Sequence, residues 1–514
     1  MNYFAVAGMC LAAAAVLALA VRNFNFKFDS AMEYKLVLLF AAAVFGIYTI
    51  ITAYKYYAMY FGLWDFGLYD SMLHNTAFGK GFMRDYRGPF DHFSPAVLVM
   101  VPFYWLFDSP LVLVFFQSAV MAAAAVPLYL LSRQYFRKPG IPLLLTAMYI
   151  LNPYYSRIAL YDFHIECLFP LVFFSAWLAF ARRRLHLFTL LLLCVPLIKE
   201  DFVIPLAACG LFLCSRRKTL PHGIICLVAA LLWSLFVLKV WFPITLGAQY
   251  QHYGRFPPVL GNGFMETVHN ICLIAGQCFS PTSIAVLCSV LLPFAFLPVF
   301  SPRSLILLLC PVIFIQFCTT FMHQQLLMSH YSSAVIAVAP VAAIFGARVL
   351  RTIARKQRLS LQLRKYSIRL AVCLLVVVHV AFCDLPFVNY HEYIRQYKPA
   401  YQFGVLSVPL YNYQFLFFDH AELFHDLQAN IPPGVSITAQ NNLGYFFVRT
   451  NTLHRMPGPD DSAIFLFDGK TSVGFDREFM EKRFEWLLKN PDYVLIFRQD
   501  GIFMFCRKNL AVKP

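Results

Sequence analysis

The sequence predicts an all-α polytopic membrane domain followed by a small α/β domain, and three observations carry that prediction. Charged residues make up 13% of the chain and hydrophobic ones 60%, against roughly a quarter charged in soluble domains. Apolar runs of membrane-crossing character recur from the start to position 388. Past that point short β-type runs with turn signals replace them. The division is therefore a multi-pass domain over 1–388 and an α/β domain over 389–514.

About 12 spans are read, at 2–21, 35–56, 110–132, 141–152, 166–181, 186–198, 202–215, 221–242, 282–300, 303–321, 331–350 and 370–388. The first run lacks a basic start and a small-residue cleavage site, so it reads as a retained span. The pair 186–198 and 202–215 fits either two spans or a broken hairpin. "SPAVLVMVPFYWLF", after His92, is short and flanked by proline, as suits a re-entrant or interfacial helix. The stretch 386–418, rich in Tyr and Phe, suits chain lying along the headgroups. Beyond it, "IPPGVSITAQNNLGYFFV", "AIFLFDG", "YVLIF" and "GIFMFC" read as strand-forming runs, and 476–490 as a helix.

The formal net charge is +16, and its distribution decides what it means. One set of alternate loops holds 21 Lys and Arg and the other 7. By the positive-inside rule the first set is cytoplasmic. Twelve crossings then put both termini and the C-terminal domain outside the cytoplasmic membrane. The basic excess is topological, which excludes nucleic acid as a partner. The 14 cysteines are scattered singly, with no Cys-x-x-Cys pair, so no zinc site or disulfide framework is expected. Cys272 and Cys278, in an extramembrane loop, are the two placed to pair.

Acids and histidines collect in the loops expected outside. Asp65, Asp70, His74, Asp85, Asp91, His92, Asp162, His164, Glu166, Lys199, Glu200, Asp201, Arg255, His323, His330 and Tyr331 all fall there. The cytoplasmic loops within the membrane domain hold only Asp29 and Glu33 as acids. Ionisable residues at membrane depth are costly and commonly functional. Each group also has a structural alternative. Asp70 can flank a short helix closed by Gly79. Pro95 can start the helix after "DHFSP", and Lys199 can neutralise Glu200 or Asp201. In "YDFHIE" the acids can cap a helix near Glu166. Their alternate spacing would also point Asp162, His164 and Glu166 one way from an extended segment, as a metal or phosphate shell requires.

"WDFGLYDSMLHNTAFGKG", "DHFSP", "LNPYYSRIALYDFHIECLFP", "LIKED", "HYSSAVIAVAP" and "IPPGVSITAQNNLGYF", in that order, resemble the predicted membrane protein family called domain of unknown function 2079. The resemblance covers most of residues 60 to 350 and part of the C-terminal domain. That family is in turn similar in architecture to the GT-C glycosyltransferases, which take a sugar from a polyprenyl-phosphate donor on the outer side of the membrane. The resemblance implies an acidic residue in the first external loop as catalytic base or metal ligand. Asp65 occupies that place, with Asp70 as a second candidate, at Asp-x4-Asp rather than Asp-x-Asp spacing.

The implied reaction transfers a sugar from a polyprenyl-phosphate-linked donor, with the lipid tail among the spans, to an acceptor glycan, lipid or protein. Asp65 would act as base. His92, Lys199, Glu200, Arg255, His330 and Tyr331 would line the substrate site, with Lys199 or Arg255 on the leaving phosphate. Asp162, His164 and Glu166 would form the shell of a divalent cation, Mg or Mn. The alternative is a multi-pass transporter or lipid flippase, which "IKED" would suit if it lies deeper.

Overall fold

The computed structural model describes residues 29–247, 254–256, 263–327, 329–358, 361–382, 418–468 and 477–510. The span expected at 2–21 and nearly all of the stretch 386–418 lie outside the described residues.

The first described helix, Ser30–Tyr57, starts where the Asp29 side chain accepts the Met32 amide at 2.7 Å and ends with Lys55 in its last turn. Met59, at φ 61°, breaks it. After Gly62 the chain resumes as a π-helical turn, Leu63–Gly67, followed by Leu68–Ala77.

Among the described residues, four helices are long and apolar enough to cross a membrane: Ser30–Tyr57, Leu111–Tyr135, Arg217–Leu246 and Met322–Lys356. A pair bent by 48°, Phe264–Cys278 and Pro281–Phe294, makes a fifth if taken as one span. The spans expected at 141–152, 166–181, 186–198 and 303–321 form Ile141–Ile150, Ile165–Ala181, Leu185–Leu197 and Pro302–Phe317. These are shorter than the ~20 residues of a straight crossing, so among the described residues four helices, or five with the bent pair, are long enough to cross alone. Pro95–Phe107 is likewise a short apolar helix. Between Leu185–Leu197 and Val203–Cys214 the chain is interrupted by an extended Lys199 and a short turn, Glu200–Phe202. Leu39, Ile50, Trp105 and Leu106 stay exposed on these helices, the state expected of side chains that meet lipid.

Helix Ser333–Lys356 runs through the centre of the bundle, and its small residues Ala334, Ala337, Ala339, Ala342, Ala343 and Gly346 are buried or nearly so. Small side chains let helices approach closely in a membrane. At Gly346 the Leu297 carbonyl comes so near that an added Cβ would overlap it.

The C-terminal domain is a five-stranded sheet: β1 (Ser436–Ala439), β2 (Thr452–Arg455), β3 (Ile464–Asp468), β4 (Tyr493–Gln499) and β5 (Ile502–Arg507). Its order is β2-β1-β3-β5-β4, with β2, β1 and β3 parallel and the rest antiparallel. Alternation along β3 splits its faces. Phe465 and Phe467 pack with Leu487 of helix Arg477–Lys489, close to the helix expected at 476–490. Ile464 and Leu466 instead join Phe424 and Leu427 of helix Phe418–Ala429 in a cluster continuous with the membrane helices. The sheet thus shares its core with the membrane domain. Strand β2, reading "TLHR", carries no apolar alternation and was not among the expected strands.

Candidate active site around Asp65

Asp65 sits on the π-helical turn between the first span and Leu68–Ala77, with its side chain 31% exposed. Tyr161 donates its hydroxyl to Asp65 Oδ2 at 2.7 Å, and His164 Nε2 lies 3.5 Å from Oδ1. Burial would push the Asp65 carboxyl up, but the His164 charge and the hydrogen bonds from His164 and Tyr161 outweigh it and hold its pKa below the ordinary aspartate value. His164 is displaced the other way: burial would lower it, and the Asp65 carboxylate raises it above the ordinary histidine value. The His164 ring stacks on His330, centroids 3.5 Å apart.

Asp162, three positions before Ile165, holds the turn from beneath. Its Oδ2 accepts the Gly62 amide at 2.6 Å. Burial and the nearby Asp65 charge push the Asp162 carboxyl up to about 7. Two neighbouring carboxyls are thereby driven apart, one below and one above the ordinary aspartate value, a pattern found where acid and base roles are divided.

The C-terminal domain packs directly on this turn. Asn441, just past the end of β1, accepts the Trp64 amide at 3.2 Å. The Arg455 guanidinium stands 4.0 Å over the Trp64 ring, and Tyr445 donates to the Tyr56 carbonyl at 2.6 Å. Asp70, expected as a second catalytic acid, has a different occupation. Arg449 grips it with two nitrogens, at 2.8 Å and 2.5 Å, Tyr104 donates to it at 2.9 Å, and its side chain is 1% exposed. The same arginine reaches Asp108 at 2.8 Å. Asp70 therefore anchors the C-terminal domain, its buried carboxylate engaged by an arginine fork and a tyrosine hydroxyl.

The remaining expected residues fall around the same mouth in pairs. Lys199 Nζ donates to Glu166 Oε1 at 2.6 Å, and the charges of Glu166, Asp201 and Glu200 raise the lysine against the opposing effect of burial. Glu200 meets His92 Nδ1 at 2.7 Å and accepts the Phe93 amide at 3.1 Å. Arg255 donates to the Tyr331 hydroxyl at 3.2 Å and lies 4.5 Å over the Phe321 ring. Among the described residues no carboxylate pairs with it. Glu166 Oε2 and His330 Nδ1 are buried polar atoms with no hydrogen-bond partner among those residues, as occurs where a ligand completes a site.

Asp162, His164 and Glu166 do not form the shared shell expected of them. The segment is extended at His164, but a 3₁₀ turn begins at Ile165, so the strict alternation stops before Glu166. Asp162 turns to Gly62, His164 to Asp65 and Glu166 to Lys199. Among the described residues no three His, Cys, Asp or Glu side chains are grouped to hold a metal ion. As placed, these three side chains are not gathered as a donor set for Mg or Mn. Cys272 and Cys278 do not pair either. Both lie on helix Phe264–Cys278, where six residues of rise and rotation put their Cα atoms roughly 10 Å apart, beyond disulfide reach. Sequence reasoning missed Tyr161, Asn441 and Arg449. The first precedes "DFHIE", the second lies inside "AQNNLG", and the third is a single basic residue ending an apolar run.

Comparison with known proteins agrees with this architecture. The family profile described as "Predicted membrane protein (DUF2079)" matches residues 55–500. No curated protein sequence matches the chain. Among solved structures, that of ArnT from Cupriavidus metallidurans bound to undecaprenyl phosphate is similar with a TM-score of 0.51 and 12% identity, covering 93% of this chain and 98% of that one. The apo state of the same protein gives 0.50 and 12%, covering 92% and 97%. The Archaeoglobus fulgidus oligosaccharyltransferase, in complex with Zn and sulfate, gives 0.37 and 14%, covering 82% and 63%. At these identities the ArnT likeness shows the fold, which is GT-C-like.

Proposed function

The chain belongs to the predicted membrane protein family DUF2079, and on that premise we propose that it is a GT-C-like membrane glycosyltransferase using a polyprenyl-phosphate-linked sugar. The observation that carries the proposal is the partly exposed Asp65 carboxylate, oriented by Tyr161 and His164 beside Asp162, whose carboxyl is raised. A fold shared over nearly the whole chain with a protein crystallised with undecaprenyl phosphate supports the donor class.

In this reading the site faces the outer side of the cytoplasmic membrane, and the short apolar helices complete about twelve passages with the longer ones. The lipid tail lies among the spans and presents the sugar–phosphate at the mouth. Arg255, whose guanidinium meets a hydroxyl and a ring but no carboxylate among the described residues, takes the leaving phosphate. Lys199 is already matched by Glu166, so its part is to hold Glu166 in place beneath the site. Asp65 accepts the proton of an acceptor hydroxyl as that oxygen bonds the anomeric carbon and the carbon–phosphate-oxygen bond breaks, with inversion. His164 keeps the carboxylate ionised before the reaction. Glu166 Oε2 and His330 Nδ1 are the places where hydroxyls of the sugar or acceptor would bind.

The test compares cells carrying the wild-type chain with cells carrying Asp65→Asn at matched membrane levels. Mass spectrometry reads their polyprenyl-phosphate sugars and surface glycans. Accumulation of one donor with loss of one glycan decoration supports the transferase and identifies its substrates. Unchanged lipids and glycans remove Asp65 from catalysis.

A further inference from the structure

Two cysteines far apart in sequence meet at the mouth. Cys278 ends helix Phe264–Cys278, and Cys318 follows the π-helical turn Val312–Phe317. Their side chains lie close enough to act on each other. The neighbouring residues tie the two segments together, since Gln277 Nε2 donates to the Thr319 carbonyl at 2.6 Å. Both cysteines are half-buried.

The face on which they lie follows from a run of contacts. Thr319 and Thr320, next to Cys318, donate their hydroxyls to the Arg255 carbonyl at 3.0 Å and 2.9 Å. Arg255 reaches Tyr331, whose neighbour His330 stacks on His164, the partner of Asp65. The cysteines therefore share the face of the candidate active site. Cys214 and Cys226 are also near each other, but Cys214 adjoins Arg216, Arg217 and Lys218, a basic run of the kind retained in the cytoplasm, where thiols stay reduced.

We propose that Cys278 and Cys318 form a disulfide in the mature protein, stapling the end of the Phe264–Cys278 helix to the segment whose Thr319 and Thr320 hold the Arg255 carbonyl. Two thiols lose two protons and two electrons to form one S–S bond. The electrons pass to a disulfide-bearing thiol oxidant of the extracytoplasmic compartment, which leaves as a dithiol. The proposal rests on the extracytoplasmic placement given above and not on the sugar-transfer reaction, so the two fail separately.

The test uses the full chain in native membranes. Free thiols are blocked with N-ethylmaleimide under denaturing conditions, the sample is then reduced, and newly released thiols take a second alkylating label before peptide mass spectrometry. The expected result is that Cys278 and Cys318 carry only the second label and appear as one linked peptide before reduction, while Cys272, Cys214 and Cys226 carry the first. In a Cys278→Ser variant, Cys318 then takes the first label. First-label modification of Cys278 and Cys318 in the wild-type chain, or a link from either to another cysteine, overturns the proposal.

Discussion

Arg449 and Asp70 stand 379 positions apart in the chain and close a two-point ion pair in which the carboxylate is 1% exposed. The pair fastens the C-terminal sheet domain to the short helix that follows the Asp65 turn. Breaking a buried pair from one side leaves an uncompensated charge, at a cost of about 3–5 kcal/mol. Arg449→Ala and Asp70→Asn are each expected to lower the thermal midpoint in detergent and to expose the C-terminal domain to limited proteolysis. Arg449→Lys keeps the charge but loses the fork, and should recover only part of the stability. The double variant Asp70→Asn/Arg449→Gln should be no worse than either single change, which a double-mutant cycle reads directly.

The Asp65–His164 pair predicts a window of pH. The raised His164 contributes stability fully below the ordinary histidine value, and this is lost as pH climbs through its folded value. The lowered Asp65 contributes above the ordinary aspartate value, and this is lost as pH falls through its own, lower value. Thermal midpoints across pH should therefore decline on the alkaline side in the wild type and show less of that decline in His164→Gln. Once a donor is identified, Asp65→Asn should lower transfer by roughly 10²–10⁴-fold. His164→Gln should move the acid limb of the pH–rate profile upward, because Asp65 loses the cation that holds it ionised.

Lys199 and Glu166 are 9% and 2% exposed at the side chain. Lys199→Met alone strands the carboxylate and should cost about 3–5 kcal/mol. Lys199→Met with Glu166→Gln removes both charges and should regain most of that loss in detergent thermal unfolding. Equal losses in the single and double variants would count against the pair as a structural unit.

Gly62 is enclosed by the same contacts that set the Asp65 turn. A Cβ there would stand 2.7 Å from Asn441 Nδ2 and 3.0 Å from Asp162 Oδ2. Gly62→Ala must displace one of them, at about 1–3 kcal/mol. The expected outcome is a modest fall in thermal midpoint with a disproportionate loss of sugar transfer. Gly62→Ala with Asn441→Ala should recover stability more than activity.

Much of the architecture was legible without coordinates because hydropathy and charge are one-dimensional. The long apolar runs become helices, and helix Arg477–Lys489 with four of the five strands stand near the expected places. The count of spans was less legible. Composition marks a segment as apolar without saying whether Ile141–Ile150 or Leu185–Leu197 is long enough to cross alone.

The sequence by itself determined that this is a membrane protein and that carboxylates and histidines gather in one set of loops, with Asp65 a candidate among them. Only the tertiary structure decided what each of those groups faces. Asp65 and Asp70 are five positions apart and chemically identical, yet one meets an imidazole and a tyrosine at the mouth while the other is sealed under Arg449. Asp162, His164 and Glu166 alternate in sequence but turn to three separate partners once a 3₁₀ turn begins at Ile165. The reason is physical. Hydropathy is a property of each residue and can be summed along a chain. A hydrogen bond or a shifted pKa depends on a partner whose distance is set by how every intervening element packs.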